Sequence, residues 1–139
     1  MRVALLSEHA KLPTRATDGS AGYDLYAMEG LNLFANKQQL VDTGVAVEIP
    51  LGHVGIIKSR SSMAVKFSVE VGAGVIDSDY RGSIKVLLYN RGSVDCHIIE
   101  RGDRIAQLLI IPIATPSLCV VKHLEATERD QGGFGSTGK

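Results

Sequence analysis

The sequence predicts an all-β fold: a sandwich, a jelly roll or a barrel. Three observations indicate this class. Short runs of β-branched and aromatic residues recur along the chain, 15 glycines and 4 prolines separate them, and only Ser62–Phe67 has helical spacing. Many short strands with regular turn signals are typical of such folds. Because the 139 residues contain no internal repeat and no linker, we expect one domain.

Most predicted strands follow from local patterns. Val3–Leu6 is a short apolar run, and the loop Pro13–Ser20 that follows is rich in Thr, Asp and Gly. Val45–Ile49 has apolar residues at alternate positions and ends at Pro50, which has no N–H to donate to a strand ladder. The other predicted strands are Gly22–Ala27, Leu31–Phe34, Gly52–Lys58, Val94–Ile99, Ile105–Ile113 and Leu118–His123.

The central stretch Gly72–Asn90 is predicted to be two strands folded back on each other. An apolar first strand ends at Val75-Ile76, a polar turn covers Asp77–Gly82, and a β-rich second strand follows from Ile84 to Tyr89. A turn needs residues that favour turns, and Ser78, Asp79 and Gly82 supply them. The turn does not also need a carboxylate and a tyrosine, so Asp77 and Tyr80 are candidate functional residues. The alternative is an ordinary β-turn with solvated acidic residues.

Composition excludes several classes of function. Fifteen basic residues balance fifteen acidic ones, so no net charge favours nucleic acid or an anionic membrane. The longest apolar runs, such as Leu108–Ile113, are too short to span a bilayer, and the N-terminal apolar segment is too brief for a secretory signal. Cys96 and Cys119 are interpreted as reduced packing residues. We therefore expect an intracellular protein, cytoplasmic or nuclear, that binds neither nucleic acid nor membrane.

Three segments are candidates for binding phosphate. Lys58–Ala64 places serines and an arginine at a helix start, where Ser61 or Ser62 is equally suited to cap the helix. Arg101–Gln107 is a polar turn entering a strand, which alone is an ordinary hairpin with a surface ion pair. The tail Arg129–Lys139 has glycine at four of its eleven positions. Glycine-rich backbone can approach phosphate oxygens closely.

The tail has two alternative interpretations. Residues 133–139 fit the start of a P-loop, but no Ser/Thr and no helix follow, so a true P-loop is not predicted. A plain Gly/Ser end does not explain Phe134, which is suited to stacking on a base. Arg129, Ser136 and Thr137 are suited to binding phosphate oxygens.

Five ordered motifs over nearly the whole chain resemble those of the all-β, homotrimeric dUTPases, which hydrolyse dUTP to dUMP and pyrophosphate. The motifs are Ala21–Ala27, Arg60–Ala64, Gly74–Gly82, Gly102–Leu108 and Gly132–Gly138. The resemblance implies a distorted jelly roll with one short helix, built from residues 1–128. It also implies a flexible glycine-rich arm, residues 129–139, that closes an active site of the trimer.

The resemblance assigns roles to residues that match the motifs. Asp77 matches the base that activates the attacking water, and Asp24 the carboxylate that holds Mg²⁺ through water. Tyr80 matches the tyrosine under the deoxyribose, which leaves no room for a 2′-hydroxyl. The remaining substrate-binding residues are Gly72, Ala73, Gly74 and Lys85 around uracil, Phe134 stacked on it, and Arg60, Ser61, Ser62, Gln107, Arg129, Gly135, Ser136 and Thr137 around the phosphates.

Assembly and physiological role are implied in the same way. Each site of the homotrimer takes motifs one, two and four from one subunit, motif three from a second and motif five from a third. Attack of water on the α-phosphorus, assisted by Mg²⁺, keeps dUTP low and supplies dUMP for dTMP synthesis. Two positions depart from the usual motifs: Asp130 stands where a glycine is usual in motif five, and Ser62 where a glycine is usual in motif two.

Two other functions are alternatives to hydrolysis of dUTP. A dCTP deaminase shares the fold and several motifs, but it needs a glutamate on the strand Ile84–Tyr89, where Leu87 occupies the expected position. A catalytically idle member kept as a regulatory binding protein is expected to have lost Asp77, Asp24 or the tail, and all three are present. A binding role in addition to catalysis stays open.

Overall fold

The computed structural model describes residues 1–130 and residue 132. Over these residues the chain forms eleven β-strands and one α-helix, which confirms the predicted all-β class with one short helix. In chain order the elements are β1 (Arg2–Leu5), β2 (Tyr23–Tyr26), β3 (Leu31–Phe34), β4 (Gln38–Asp42), β5 (Val45–Glu48), β6 (His53–Lys58), α1 (Ser61–Phe67), β7 (Val69–Gly72), β8 (Val75–Ile76), β9 (Lys85–Asn90), β10 (Cys96–Ile99) and β11 (Arg104–Pro112).

The strands form four antiparallel sheets in the described part of the chain. The largest has the order β2-β11-β6-β8, and a three-stranded sheet has the order β4-β9-β7. β1 pairs with β5, and β3 pairs with β10, as two smaller sheets. Neighbours in space are often far apart in sequence, as expected for a jelly roll, whose strands pair across long connections.

One apolar core holds the sheets together. Buried residues alternate along β9 with exposed or half-buried ones, and Val86 and Leu88 are fully buried. The largest fully buried apolar side chains are Leu25, Leu33, Ile84, Leu88, Ile99, Ile105 and Leu108. Two buried polar residues pair with backbone carbonyls: Thr43 Oγ1 donates to Ile84 O at 2.7 Å, and Asn90 Nδ2 to Leu33 O at 2.9 Å. Such pairing offsets the cost of burying polar groups.

The central hairpin differs from the prediction. Its paired arms are β7 and β9, with Gly72 opposite Leu87, whereas Val75-Ile76 pairs with β6 in the other sheet. The chain changes sheets at Ala73 and Gly74, whose φ angles are +55° and +106°. These left-handed conformations turn the backbone out of the β7 ladder before β8 begins. The predicted pairing of the Val75-Ile76 strand with the strand Ile84–Tyr89 is therefore wrong.

Other differences have simple physical reasons. The predicted strand Leu118–His123 is irregular: the side chains of Leu118 and Val120 are 97% and 99% exposed, and no strand of the described chain pairs with the segment. Conversely, Gln38–Asp42 and Val69–Gly72 are strands that the local pattern did not indicate. The helix begins at Ser61 after Arg60, so neither serine caps it. Cys119 is exposed rather than packed.

The one helix among the described residues, α1, has seven residues and is neither long nor apolar enough to cross a bilayer.

Candidate active site

The predicted site residues lie in two clusters, and the first is built on β2, β11 and the end of β6. In the strand register Gln107 lies opposite Asp24 on one side and opposite Lys58 on the other. The chain leaves β6 at Lys58 and passes through Ser59 and Arg60 into α1. Three segments distant in sequence thus meet at one edge of the sheet, which brings together Asp24, Arg60 and Gln107. We call this group the arginine cluster, together with Ser59, Ser61, Ser62 and Arg104.

Asp24 is held between two arginines. Arg60 Nε lies 3.0 Å from Asp24 Oδ1, and Arg104 Nη1 lies 3.2 Å from Asp24 Oδ2. The Asp24 side chain is 14% exposed and that of Arg60 21%, so solvent screens their ion pair only in part. Arg60 Nη1 also donates to the backbone oxygen of Arg104 at 3.0 Å, which fixes the plane of its guanidinium. One carboxylate and two cations leave the cluster with a positive balance.

Gln107 and Ser59 are positioned by backbone contacts. Gln107 Nε2 donates to the carbonyl oxygen of Ser59 at 3.0 Å, and the Ser59 hydroxyl accepts from Val71 N at 2.8 Å. Gly22 lies directly beneath the glutamine, since a Cβ there would come within 2.8 Å of Gln107 Oε1. Ser61 and Ser62 form the first turn of α1, where backbone N–H groups lack partners within the helix.

The second cluster surrounds a small cleft beside β8. Val75, Ile76, Asp77, Tyr80, Ser83 and Lys85 line a cavity of about 200 Å³. Asp77 is exposed and Ile76 is half-buried, so the carboxylate is open to solvent. Tyr80 N donates to Asp77 O at 3.2 Å, which closes a tight turn between the two candidate residues. Asp77, Tyr80 and Lys85, to which the motif resemblance gives roles at the substrate site, therefore lie in one neighbourhood.

Tyr80 lies across the backbone of its own loop. Its hydroxyl donates to the carbonyl oxygen of Ser83 at 3.0 Å, and a Cβ on Gly82 would come within 2.4 Å of that hydroxyl. The Ser83 hydroxyl in turn donates to the Asp42 carboxylate at the end of β4. The sequence did not single out Asp42 and Ser83, and it gave no role to Arg104 although Arg104 lies in the motif Gly102–Leu108. No local pattern links these three residues to their partners.

The segment Gly72–Gly74 presents backbone beside this cleft. A Cβ at Gly72 would come within 2.0 Å of Tyr89 Cε2, so a larger residue does not fit there. Gly74 O accepts from Ile57 N at 2.8 Å, which fixes the backbone as it enters β8. Ala73, between them, is exposed. Gly72 and Gly74 are therefore closely packed, and the segment Gly72–Gly74 is consistent with recognition by backbone N–H and C=O groups.

The two clusters lie at opposite ends of β6. Ile76 pairs with Gly55, so Asp77, the next residue, lies at the level of Val54, whereas Arg60 follows the other end of the strand. The six residue-to-residue steps from Val54 to Arg60 span roughly 20 Å at ~3.3 Å per residue. The structure of one chain thus does not bring Asp77 and Tyr80 together with Arg60, Asp24 and Gln107.

At the start of the tail, the described hydrogen bonds are made with neighbouring residues of the chain rather than with either cluster. Arg129 is exposed, and its Nε donates to Gly132 O at 3.0 Å. Asp130 has a φ of +41°, and its N–H donates to Thr127 Oγ1 at 3.0 Å. The predicted residues Phe134, Gly135, Ser136 and Thr137 lie outside the described residues.

Comparisons with known proteins agree with these features. The family model described as dUTPase matches residues 8–138. The deoxyuridine 5′-triphosphate nucleotidohydrolase of Yarrowia lipolytica is 49% identical over 140 residues, which cover 99% of this chain and 88% of the relative. A mutant dUTPase of Staphylococcus bacteriophage 80alpha, solved with dUpNHpp, superposes with a TM-score of 0.89 at 33% identity, covering 99% of this chain and 98% of that one.

A second solved structure is also similar. A mutant dUTPase of phage phi11 of S. aureus, which coordinates a structural Mg(II) ion, has a TM-score of 0.84 at 31% identity, covering 90% of this chain and 98% of that one. The five motifs, the matched family model and the full-length likeness to these proteins lead to one conclusion: the chain belongs to the dUTPase family.

Proposed function

We propose that the protein hydrolyses dUTP to dUMP and pyrophosphate. The observation that carries this proposal is the cleft beside β8, where a carboxylate, a tyrosine and a lysine line a cavity of about 200 Å³ at positions of the family's third motif. A cavity of this size accepts a ring the size of a nucleobase with part of its sugar. The structure of the phage 80alpha relative with dUpNHpp, a dUTP analogue, supports the same substrate here.

The active site is shared between copies of the chain in a homotrimer. The roughly 20 Å along β6 between Asp77 and Arg60 supports this arrangement, because one α-phosphate cannot lie beside both residues of the same chain. The exposed apolar side chains of Leu118, Val120 and Leu124 also support assembly, since a neighbouring copy would remove them from water. Residues 1–128 form the β domain, and the arm 129–139 closes over a site of the trimer.

Asp77 is the general base of the reaction. It takes a proton from the water that attacks the α-phosphorus in line with the departing pyrophosphate. Its exposed position in the cleft supports this role, because a water molecule can reach the carboxylate. Arg60, Gln107, Ser61 and Ser62 bind phosphate oxygens from the arginine cluster. Arg129, Gly135, Ser136 and Thr137 do so from the arm.

Mg²⁺ is the proposed cofactor. The residues that the structure describes contain no group of three or more His, Cys, Asp or Glu that could hold a metal by themselves, so a metal here would take most of its ligands from the substrate and water. Mg²⁺ suits such a setting, because it commonly keeps its waters and binds through one or two carboxylates plus substrate phosphates. Asp24 would hold it through a water molecule. When bound, Mg²⁺ neutralises triphosphate charge and improves the leaving group.

Base and sugar are selected at the second cluster. The backbone of Gly72, Ala73 and Gly74, together with Lys85, contacts the uracil edge, and Phe134 stacks on its face. Tyr80 packs under the deoxyribose and excludes a 2′-hydroxyl. Tyr80 is held by its hydrogen bond to Ser83 O and by its packing against Gly82. These contacts support the role, because steric exclusion of a 2′-hydroxyl needs a side chain that does not move aside.

The test is pyrophosphate release from dUTP, dCTP, dTTP and UTP, each with and without Mg²⁺. We expect release from dUTP only, and faster release when Mg²⁺ is present. Release from dCTP at a comparable rate would contradict uracil selection. Binding of dUTP without release from any nucleotide would instead favour a regulatory binding protein.

A further inference from the structure

We propose that the contact between Asp42 and Ser83 is a positioning device that holds Tyr80 in place and thereby sets the discrimination between dUTP and UTP. This inference deepens the proposed function and rests on the role of Tyr80 in it. Asp42 and Ser83 lie outside the motif residues to which roles were assigned, and they are separated by 41 residues in sequence.

The first step is the seating of the tyrosine. Tyr80 Oη donates to the carbonyl oxygen of Ser83 at 3.0 Å, and its ring rests against Gly82 with no space for a Cβ. The ring position therefore follows the backbone of residues 82 and 83. Any displacement of that backbone moves the wall beneath the sugar.

The second step is the anchor of Ser83. Its hydroxyl donates to Oδ1 of Asp42, which also accepts from Gly44 N at 2.8 Å. Both residues are half-buried, so water competes only in part for the bond. A hydrogen bond to an ionised carboxylate is roughly twice as strong as one between neutral groups.

The third step is the rigidity of Asp42 itself. It ends β4 opposite Lys85 of β9, and the next residue, Thr43, is fully buried. Thr43 N and Thr43 Oγ1 both donate to the carbonyl oxygen of Ile84, at 3.2 and 2.7 Å. The carboxylate thus projects from a fixed point of the core and ties the end of the Tyr80 loop to it.

A pocket that has room for an added hydroxyl but does not hydrogen-bond it rejects it by a factor of only about 100. Stronger rejection of the 2′-hydroxyl of UTP therefore needs a wall that leaves no room for it. Such rejection depends on the stiffness of the wall, since a shift well below the size of a hydroxyl group relieves the clash. Loss of the Asp42–Ser83 bond is therefore expected to affect UTP far more than dUTP.

The experiment compares kcat/KM for dUTP with kcat/KM for UTP in Asp42→Ala and Ser83→Ala. We expect each to lower the dUTP-to-UTP ratio about 5- to 10-fold, mainly by raising kcat/KM for UTP, which is the size of effect expected for the loss of one hydrogen bond. Asp42→Asn retains an Oδ1 acceptor for Ser83 and should keep the ratio within about twofold. The double variant should match either single one, because both remove the same bond.

The matched control is Ser78→Ala in the same loop, where the contact of Ser78 is made by its backbone oxygen with Arg81. Its ratio should stay at the wild-type value. Unchanged ratios in both Asp42→Ala and Ser83→Ala would overturn the inference. If Asp42→Ala does not fold, as judged by thermal melting, Ser83→Ala decides, since it removes the bond from the loop side.

Binding of dUMP and UMP, measured by calorimetry, separates this inference from the proposed function. A protein that releases no pyrophosphate but binds dUMP better than UMP, with that preference reduced in Ser83→Ala, would contradict hydrolysis and support the positioning role. Hydrolysis of dUTP with an equal preference for UTP in the wild type would support hydrolysis and contradict the positioning role.

Discussion

Arg60 Nε lies 3.0 Å from Asp24 Oδ1, so the arginine proposed for the phosphates is already joined to the carboxylate proposed for the metal. Arg104 contacts the other oxygen of the same carboxylate at 3.2 Å. The carboxylate thus keeps one cationic partner when Arg60 engages a phosphate. This geometry makes Arg104 an orienting residue for Asp24.

Arg104→Ala should raise the Mg²⁺ concentration for half-maximal turnover about 10-fold, because residues that orient metal-binding groups commonly have effects of this size. Calorimetric titration of the Mg²⁺-dependent binding of dUpNHpp gives a readout without turnover. Arg104→Lys should recover the effect only in part, since lysine keeps the charge but not the planar fork. Arg2→Ala, which removes an exposed arginine paired with Glu48, is the control. An unchanged Mg²⁺ dependence in Arg104→Ala would exclude the orienting role.

Asp77→Asn should lower kcat by about 100-fold or more while dUTP still binds, since a general base commonly contributes a factor of 10² to 10⁴. The amide keeps the size of the side chain but cannot accept the proton. Rapid-quench turnover and calorimetric binding of dUpNHpp measure the two effects separately. Turnover at the wild-type rate would remove Asp77 from the mechanism.

Complementation tests the shared site. Asp77→Asn and Arg60→Ala should each be nearly inactive alone, but trimers refolded from an equal mixture should recover activity. A site that takes Arg60 from an Asp77→Asn chain and Asp77 from an Arg60→Ala chain has both groups intact. No recovery, in mixed trimers verified by native mass spectrometry, would mean that each site is built within one chain.

Asp130→Gly should lower KM for dUTP several-fold. At Asp130 the φ of +41° lies in the left-handed region, which costs non-glycine residues about 1 kcal/mol, and the carboxylate repels the triphosphate. Asp130→Asn removes the charge and keeps a side chain that tolerates this backbone, so it isolates the electrostatic part. Steady-state kinetics at two ionic strengths distinguish the two, since only the charge effect is screened. An unchanged KM in both variants would show that Asp130 does not affect closure of the arm.

Acid stability should depend on Glu48. Hydrogen bonds from Arg2 lower the pKa of Glu48 below its ordinary value. The contribution to folding is therefore present above the pKa of an unfolded glutamate and is lost as the pH falls through the lower folded value. Melting temperatures of the wild type and Glu48→Gln should differ slightly at pH 7 and converge in acid. A difference that persists below pH of about 3 would contradict this origin.

Sequence patterns predicted the elements whose signals are local. Leu31–Phe34 has its predicted bounds, and the helix differs by one residue at its start. The pairing of β7 with β9 was not predictable, because it depends on a left-handed turn at Ala73, and alanine gives no signal of one. Gln38–Asp42 was missed because its first three side chains are exposed and polar residues begin the run.

In the candidate site, too, local motifs were predictable from the sequence and contacts between distant residues were not. The motif resemblance gave roles to Asp77, Tyr80 and Lys85, and the structure has all three around one cleft. The contacts of Arg104 with Asp24 and of Ser83 with Asp42 join residues 80 and 41 positions apart, which only the folded sheets bring together. Leu118–His123 was predicted to be a strand because its residues favour one, but a strand also needs a partner.

Strand β6 reaches both halves of the proposed site, since it supports Asp77 near its start and leads into Arg60 at its end. In a trimer with shared sites these two halves serve different catalytic centres. A slip or kink in this one strand would impair two of three centres from a single faulty copy, whereas Asp77→Asn impairs one. In cells that make both normal and altered chains, mutations that distort β6 should therefore lower total activity more than Asp77→Asn does.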